Sequence, residues 1–257
     1  MKLNRPTPHH LKQGFTLIEL MIALVLGVFL TEGALQVFIS SKENFRVTTS
    51  NSELMQSGRM GLDFMTNSIS LAGFHSNLEV TPYFTAAAPF PTDDQVITGT
   101  DSSITVRYFG YDDNLVTDCQ GNPISTALVG NFAAPPTVMK FYLDTTDASN
   151  KKLMCNVSGK APDVLLVENV DQLQIRYGIS NGIDDNVSSY TTASNITGSN
   201  WVNVRAVRIG LLVKSSIRAN STVNKRSYTL FGTSYASNDN YLRESFVTTV
   251  GLWNKIQ

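Results

Sequence analysis

Residues 14–21 read Gly14-Phe15-Thr16-Leu17-Ile18-Glu19-Leu20-Met21, and they open the apolar run that decides how this chain begins. From Phe15 to Leu30 there are sixteen residues and one charge, Glu19. A short basic segment, Met1 to Lys12, stands in front and carries Lys2, Arg5 and Lys12. A secretory signal has a basic start, then an apolar stretch, then a small residue at the cut. Here the small residue, Gly14, precedes the apolar stretch. A cut after Gly14 trims residues 1–14 and leaves the apolar run on the mature protein.

The lone acid points the same way. A carboxylate at membrane depth costs a few kcal/mol on insertion scales and is a functional candidate by default. After a cut at Gly14, Glu19 is the fifth residue of the mature chain, and the new amine sits on Phe15. Within one helix the two lie about 6 Å apart at ~1.5 Å rise per residue. A neighbouring subunit can present its amine at closer range. At ~4 Å such a pair is worth about 4 kcal/mol at an effective dielectric near 20. Glu19 therefore reads as an assembly signal, satisfied when subunits pack.

Gly14-Phe15-Thr16-Leu17-Ile18-Glu19 resembles the class III signal of type IV prepilins and of the pseudopilins of type II secretion. The resemblance implies that a membrane peptidase cuts between Gly14 and Phe15 and that Phe15 is N-methylated. It also implies that Glu19 guides subunits into a filament. Major pilins carry a proline in the middle of this segment. Here position 36 is Gln36, which favours a minor component.

Removing the three basic leader residues from 20 leaves 17 against 21 acidic ones, a net charge of −4. That balance argues against nucleic acid, which needs a basic patch. The positive-inside rule puts Lys2, Arg5 and Lys12 in the cytoplasm and the bulk of the chain outside. Both cysteines, Cys119 and Cys155, are then where disulfides persist. A Cys119–Cys155 bridge is expected, against the alternative of two free buried thiols. Its loop of about 37 residues contributes roughly 3–4 kcal/mol in the chain-entropy model.

Residues 15–72 read as one helix, with no proline to interrupt it. Sixteen apolar residues make only ~24 Å against a hydrocarbon core of about 30 Å, so the span runs on to Ile39. Residues 15–39 are the expected transmembrane portion and 40–72 the amphipathic one. Leu54, Gly58, Leu62, Met65 and Ile69 lie on one face of that second portion, the face that docks on a globular domain. Gly58 and Gly61 permit close packing there, and Gly73 ends the helix.

Residues 73–257 read as a β-rich domain. Strands are expected at Ile104–Tyr108, Val138–Leu143, Val164–Val167, Leu173–Ile179, Val207–Val213, Tyr228–Phe231 and Phe246–Leu252. The prolines at 82, 89 and 91 mark a loop, and the Asn- and Ser-rich stretches 180–200 and 215–227 are read as surface loops. The fold class is thus α+β: a long N-terminal helix packed on a mostly antiparallel sheet domain.

A narrower resemblance rests on three segments. Gly58-Arg59-Met60 through Leu71-Ala72-Gly73-Phe74 is one. Val204-Arg205-Ala206-Val207-Arg208-Ile209-Gly210-Leu211-Leu212-Val213-Lys214-Ser215 is the second. Leu242-Arg243-Glu244-Ser245-Phe246-Val247-Thr248-Thr249-Val250 is the third. These are similar to the PilW family of type IV pilus minor pilins. The resemblance implies a pilin-like fold and a role near the pilus tip, with other minor pilins, in starting assembly.

Enzyme readings fare badly. After processing, His75 is the one histidine left, so a catalytic triad or a His-based metal cluster would rest on it alone. There is no Gly-rich phosphate loop. Two acidic clusters, Asp184-Asp185-Asn186 and Asp112-Asp113-Asn114 with Asp118, have the oxygens that calcium wants, but neither has the EF-hand spacing. Solvated turns are the plainer reading, and no cofactor is expected.

The leading function is a minor pilin in a low-abundance complex that primes and caps a type IV pilus. Twitching motility, adhesion and DNA uptake would lie downstream. Its expected partners are the prepilin peptidase, other minor pilins, the major pilin and a tip adhesin. Its expected route is the inner membrane, with the C-terminal domain in the periplasm, and then the pilus tip. The alternatives are a minor pseudopilin of type II secretion and, in another class, a bitopic membrane-anchored sensor or enzyme.

Overall fold

The computed structural model describes residues 14–75, 83–110, 116–124, 135–182, 185–219 and 223–255. Helix α1 runs from Leu17 to Ser70. Its contacts divide it: the chain up to Arg46 forms one compact unit, and Val47 onward forms another with the β domain.

In the first unit every residue from Gly14 to Lys42 is exposed. The helix there is long and apolar enough to cross a membrane. It is apolar all round, so it has no single face to bury against a domain of its own chain.

In the second unit the helix has one buried face, made by Ser50, Leu54, Gly58, Gly61, Leu62, Met65 and Ile69. That face packs on strands. A Cβ on Gly61 would stand 2.9 Å from Val167, 3.3 Å from Leu211 and 3.4 Å from Leu153. Burying Leu54, Met65 and Ile69 contributes about 2 kcal/mol each. Ala72 and Gly73 close the helix, and Gly73 takes φ +81° while its N–H bonds the Arg107 carbonyl. Glycine adopts that left-handed cap without a steric penalty.

The β domain contains two antiparallel sheets and a hairpin. The first sheet is a meander of β1 (Ile97–Gly99), β2 (Ser103–Tyr108), β3 (Thr137–Asp144), β4 (Lys152–Val157) and β5 (Val164–Val167). The second contains β6 (Val170–Ser180), β7 (Val187–Thr191), β8 (Val204–Arg218) and β11 (Tyr241–Gly251), in the order β11-β8-β6-β7. Leu173, Ile175 and Tyr177 pair with Leu211, Ile209 and Val207, and all six are buried in one core with α1 and the first sheet.

The other face of the second sheet carries a flap, β9 (Asn224–Leu230) and β10 (Thr233–Asp239). The flap lies between the paired strands β8 and β11 in sequence. Its turn is Phe231-Gly232, at φ 45° and 84°. Two consecutive positive φ values are what a two-residue type I′ hairpin requires. The Phe231 ring rests on Gly210, whose Cβ, if it had one, would stand 3.0 Å from it. At the base of the flap, Arg243 grips both oxygens of Asp239 at 2.7 Å and also bonds Asp171. The hydrogen bond to Arg243 holds the Asp239 carboxyl below the usual carboxylate range.

Two readings of loops are corrected here. Within 180–200, β7 and two short 3-10 helices, Ala193–Asn195 and Gly198–Asn203, replace the expected loop. Within 215–227, β8 continues to Arg218 and β9 starts at Asn224. Polar composition misled in both places, because edge strands and flaps face water and read as loops. The expected strand Tyr228–Phe231 stops at Leu230, where Phe231 enters the turn.

Candidate functional site

Gly14, Phe15 and Thr16 precede the first turn of α1, outside any regular element, and all three are exposed. The Gly14–Phe15 bond is therefore open, with nothing within 4 Å of a Cβ built on Gly14. Thr16 is the N-cap residue. Its carbonyl accepts the first helical bond, from the Leu20 N–H at 3.2 Å. Its hydroxyl accepts from the Glu19 N–H at 3.3 Å and donates to Glu19 Oε2 at 3.0 Å. The Thr16 N–H donates to the same oxygen at 3.1 Å. This is a capping box, in which residues three apart satisfy each other's orphan donors. The spacing Thr16-x-x-Glu19 was the signal for it, and the sequence reading passed over Thr16. Glu19 thus has a local partner within its own chain, and its anionic charge lies at the positive end of the helix dipole. All atoms of the box lie after Gly14, so a cut there leaves it intact.

In the β domain, Cys119 and Cys155 form a disulfide with Cα atoms 6.5 Å apart. Cys155 is fully buried in β4, and Cys119 lies in a turn that Asp118 organises. Asp118 Oδ1 accepts from the Gln120 N–H at 2.9 Å and the Asn122 N–H at 3.0 Å, while Oδ2 meets Lys160 at 2.6 Å. Burial pushes the Asp118 pKa up, but the bond to Lys160 and the two N–H groups outweigh it and hold it low. The disulfide and the Lys160 pair together tie this turn to the end of β4.

Among the described residues Arg107 is the buried cation, 1% exposed. Its Nε donates to the Gln95 carbonyl at 2.6 Å and Nη1 to the Thr85 carbonyl at 2.7 Å. Its guanidinium lies 4.5 Å from the Phe90 ring centroid and 5.2 Å from that of Phe84. Burial pushes its pKa down to about 10. Arg107 is the strut around which residues 84–96 fold. Strand alternation in Ile104–Tyr108 places it on the water side, and nothing local in the sequence reveals the loop that covers it.

His75 stacks on Tyr83 with ring centroids 3.8 Å apart, at the end of the helix cap. Asp185 pairs with Arg205 at 2.7 Å. Asp184 and residues 112–114, the other parts of the two acidic clusters, lie outside the described residues. Among the described residues no group of three His, Cys, Asp or Glu side chains is placed to hold a metal ion.

Comparison with known proteins finds two matching families. The prokaryotic N-terminal methylation motif matches residues 10–31, which include Gly14, Phe15, Thr16 and Glu19. The family of type IV pilus-assembly protein W matches residues 140–254, from β3 to the end of the second sheet. No curated protein matches the chain. Among solved structures, a type IV-like pilin from Thermus thermophilus is 11% identical. It covers 79% of this chain and 97% of its own, with a TM-score of 0.49, too low for the likeness to carry weight. The chain is thus similar to the prokaryotic N-terminal methylation motif at its start and to the type IV pilus-assembly protein W family over most of its second half.

Proposed function

We propose that the protein is cut between Gly14 and Phe15 by a prepilin peptidase, N-methylated at Phe15, and passed from the inner membrane into a minor-pilin complex that primes a type IV pilus. The C-terminal domain faces the periplasm before assembly and the cell surface afterwards, at the pilus tip. The observation that carries this reading is the exposed Gly14–Phe15 link directly ahead of a capped apolar helix. A peptidase needs an extended, accessible bond, and the helix beyond it supplies the anchor that survives the cut.

Glu19 then has two roles. In the free subunit it caps α1 through Thr16. In the filament it receives the Phe15 amine of a neighbour, and Coulomb attraction at short range sets the register between helices. The cap uses one carboxylate oxygen and leaves Oε1 for the incoming amine.

The test is mass spectrometry of pili sheared from cells. A peptide beginning at N-methylated Phe15, at a small fraction of the major subunit, is the expected result. Recovery of the processed protein only from membranes, with pili present in the sheared fraction, would overturn the tip assignment. Retention of residues 1–14 would overturn the processing step.

A further inference from the structure

The back face of the second sheet, beyond the flap, carries an arrangement that the fold does not need. Arg176 on β6 and Arg208 on β8 are direct register partners, so both side chains rise from the same face. Residues so opposed have Cβ atoms about 4.5–5.5 Å apart, and like charges there destabilise a sheet. Arg176 has one carboxylate near it, Asp101 at 3.8 Å, at the limit of an ion pair. Arg208 has no ion-pair partner among the described residues. It is exposed, and its guanidinium stacks on the Tyr190 ring at 3.9 Å.

The platform under Arg208 is built. Tyr190 on β7 pairs with Gly178 on β6, and a Cβ on Gly178 would stand 2.9 Å from the Tyr190 ring. The glycine lets the ring lie on the sheet, where it fixes the guanidinium plane. At the opposite edge the same device recurs. Gly251 on β11 pairs with Ala206 on β8, and a Cβ on Gly251 would stand 3.2 Å from the Trp253 indole. Trp253 nevertheless remains 72% exposed. Two stacked or seated aromatic rings therefore flank the exposed Arg208 and the half-buried Arg176, whose side chain is 17% exposed, on one sheet face. Trp, Tyr and Arg are the residue types that dominate the energetics of protein interfaces.

We propose that this face, centred on Arg176 and Arg208, is a docking site for a carboxylate-bearing segment of another protein. Charge complementarity selects the occupant. A stacked guanidinium with its edge free is prepared for bidentate binding of a carboxylate. A single acidic side chain between the two arginines relieves their mutual repulsion. Trp253 supplies the apolar contact beside the charged one. This inference does not depend on the pilus reading, because it concerns the chemistry that the face recognises.

The test uses the full-length protein in detergent micelles at low salt, titrated with an acetylated tetraglutamate peptide. Binding is expected for the wild type. Arg208→Glu and Arg176→Glu should each weaken it roughly tenfold or more, since each turns an attraction into a repulsion. Arg208→Glu should not lower Tm, because it replaces a like-charge cross-strand pair by an opposite-charge pair, whereas Arg176→Glu also sets a carboxylate against Asp101 and is read by binding alone. That separates lost binding from lost folding. Absence of peptide binding, or binding unchanged in both variants, would overturn the proposal. Inorganic phosphate binding more tightly than the peptide at this face would overturn the carboxylate assignment. Self-association of the wild type that Arg208→Glu abolishes, with no effect on the peptide, would reassign the face to a second copy of this chain.

Discussion

Leu24, Leu26 and Phe29, in the first part of α1, are 61%, 57% and 67% exposed, whereas Leu54, Met65 and Ile69, further along the same helix, are 1%, 0% and 0% exposed. Both parts are rich in apolar side chains. They differ in pattern. Before Ile39 the apolar residues surround the helix, and after Ser50 Leu54, Leu62, Met65 and Ile69 gather on one buried face while Met55, Met60 and Phe64 stay exposed. A helix apolar all round needs an apolar medium or other helices, while a one-sided helix needs a partner surface. The lesson is that one secondary-structure element carries two solvation problems, and the chain solves only the second by itself.

Variants can break or sharpen that contrast. The largest effect is expected just beyond the end of α1, at Arg107→Ala. It removes the strut from residues 84–96 and orphans the Gln95 and Thr85 carbonyls. The expected loss is about 3–5 kcal/mol, measured by urea unfolding. A loss under about 1 kcal/mol would mean that the loop folds without its cation.

Breaking the Cys119–Cys155 bridge, by the paired Cys119→Ser and Cys155→Ser change, should cost roughly 3 kcal/mol by the same measurement. An unchanged denaturation midpoint would show that Lys160 and Asp118 alone hold the turn.

Gly61→Leu should cost about 2 kcal/mol, since new methylenes must enter a core where Val167 already stands 2.9 Å from a built Cβ. The same substitution at Gly27, which has nothing within 4 Å of its Cβ, should leave the unfolding of the β domain unchanged. Equal losses at both positions would erase the distinction between the two parts of the helix.

The smallest effect on stability is expected at Glu19. Glu19→Ala removes half of the capping box and frays the first turn. The Tm of the β domain should not move. Incorporation into sheared pili should fall sharply all the same, and normal incorporation would count against the assembly role. Glu19→Gln keeps a capping side chain without the charge, so it separates the two roles.

Where local pattern and environment agreed, the sequence was easy to read. The helix face at Leu54, Leu62, Met65 and Ile69 follows a four-and-three spacing, and the structure buries it. The strand at Val207–Val213 alternates because one of its faces meets the core and the other bears Arg208 and Gly210. The failures came from coverage. The alternation of Ile104–Tyr108 implies one wet face, yet Thr105 and Arg107 are buried too, and Arg107 is covered by residues 84–96, whose carbonyls it bonds. β7 and the start of β9, up to Ser227, are polar because they sit at an edge and in the flap, so composition disguised them as loops.

At the N-terminus the relevant physics is local. The order of charge, glycine and apolar run, the lone acid, and the Thr16–Glu19 spacing all act within one or two turns, so the residues themselves determined the motif and its cap. The arginine strut, the seat of the flap on Gly210 and the opposed pair Arg176 and Arg208 depend on residues that are distant in sequence and meet through strand pairing. Register decides which side chains share a face, and a shift of one residue would turn each to the other side. Those features only the tertiary structure could decide.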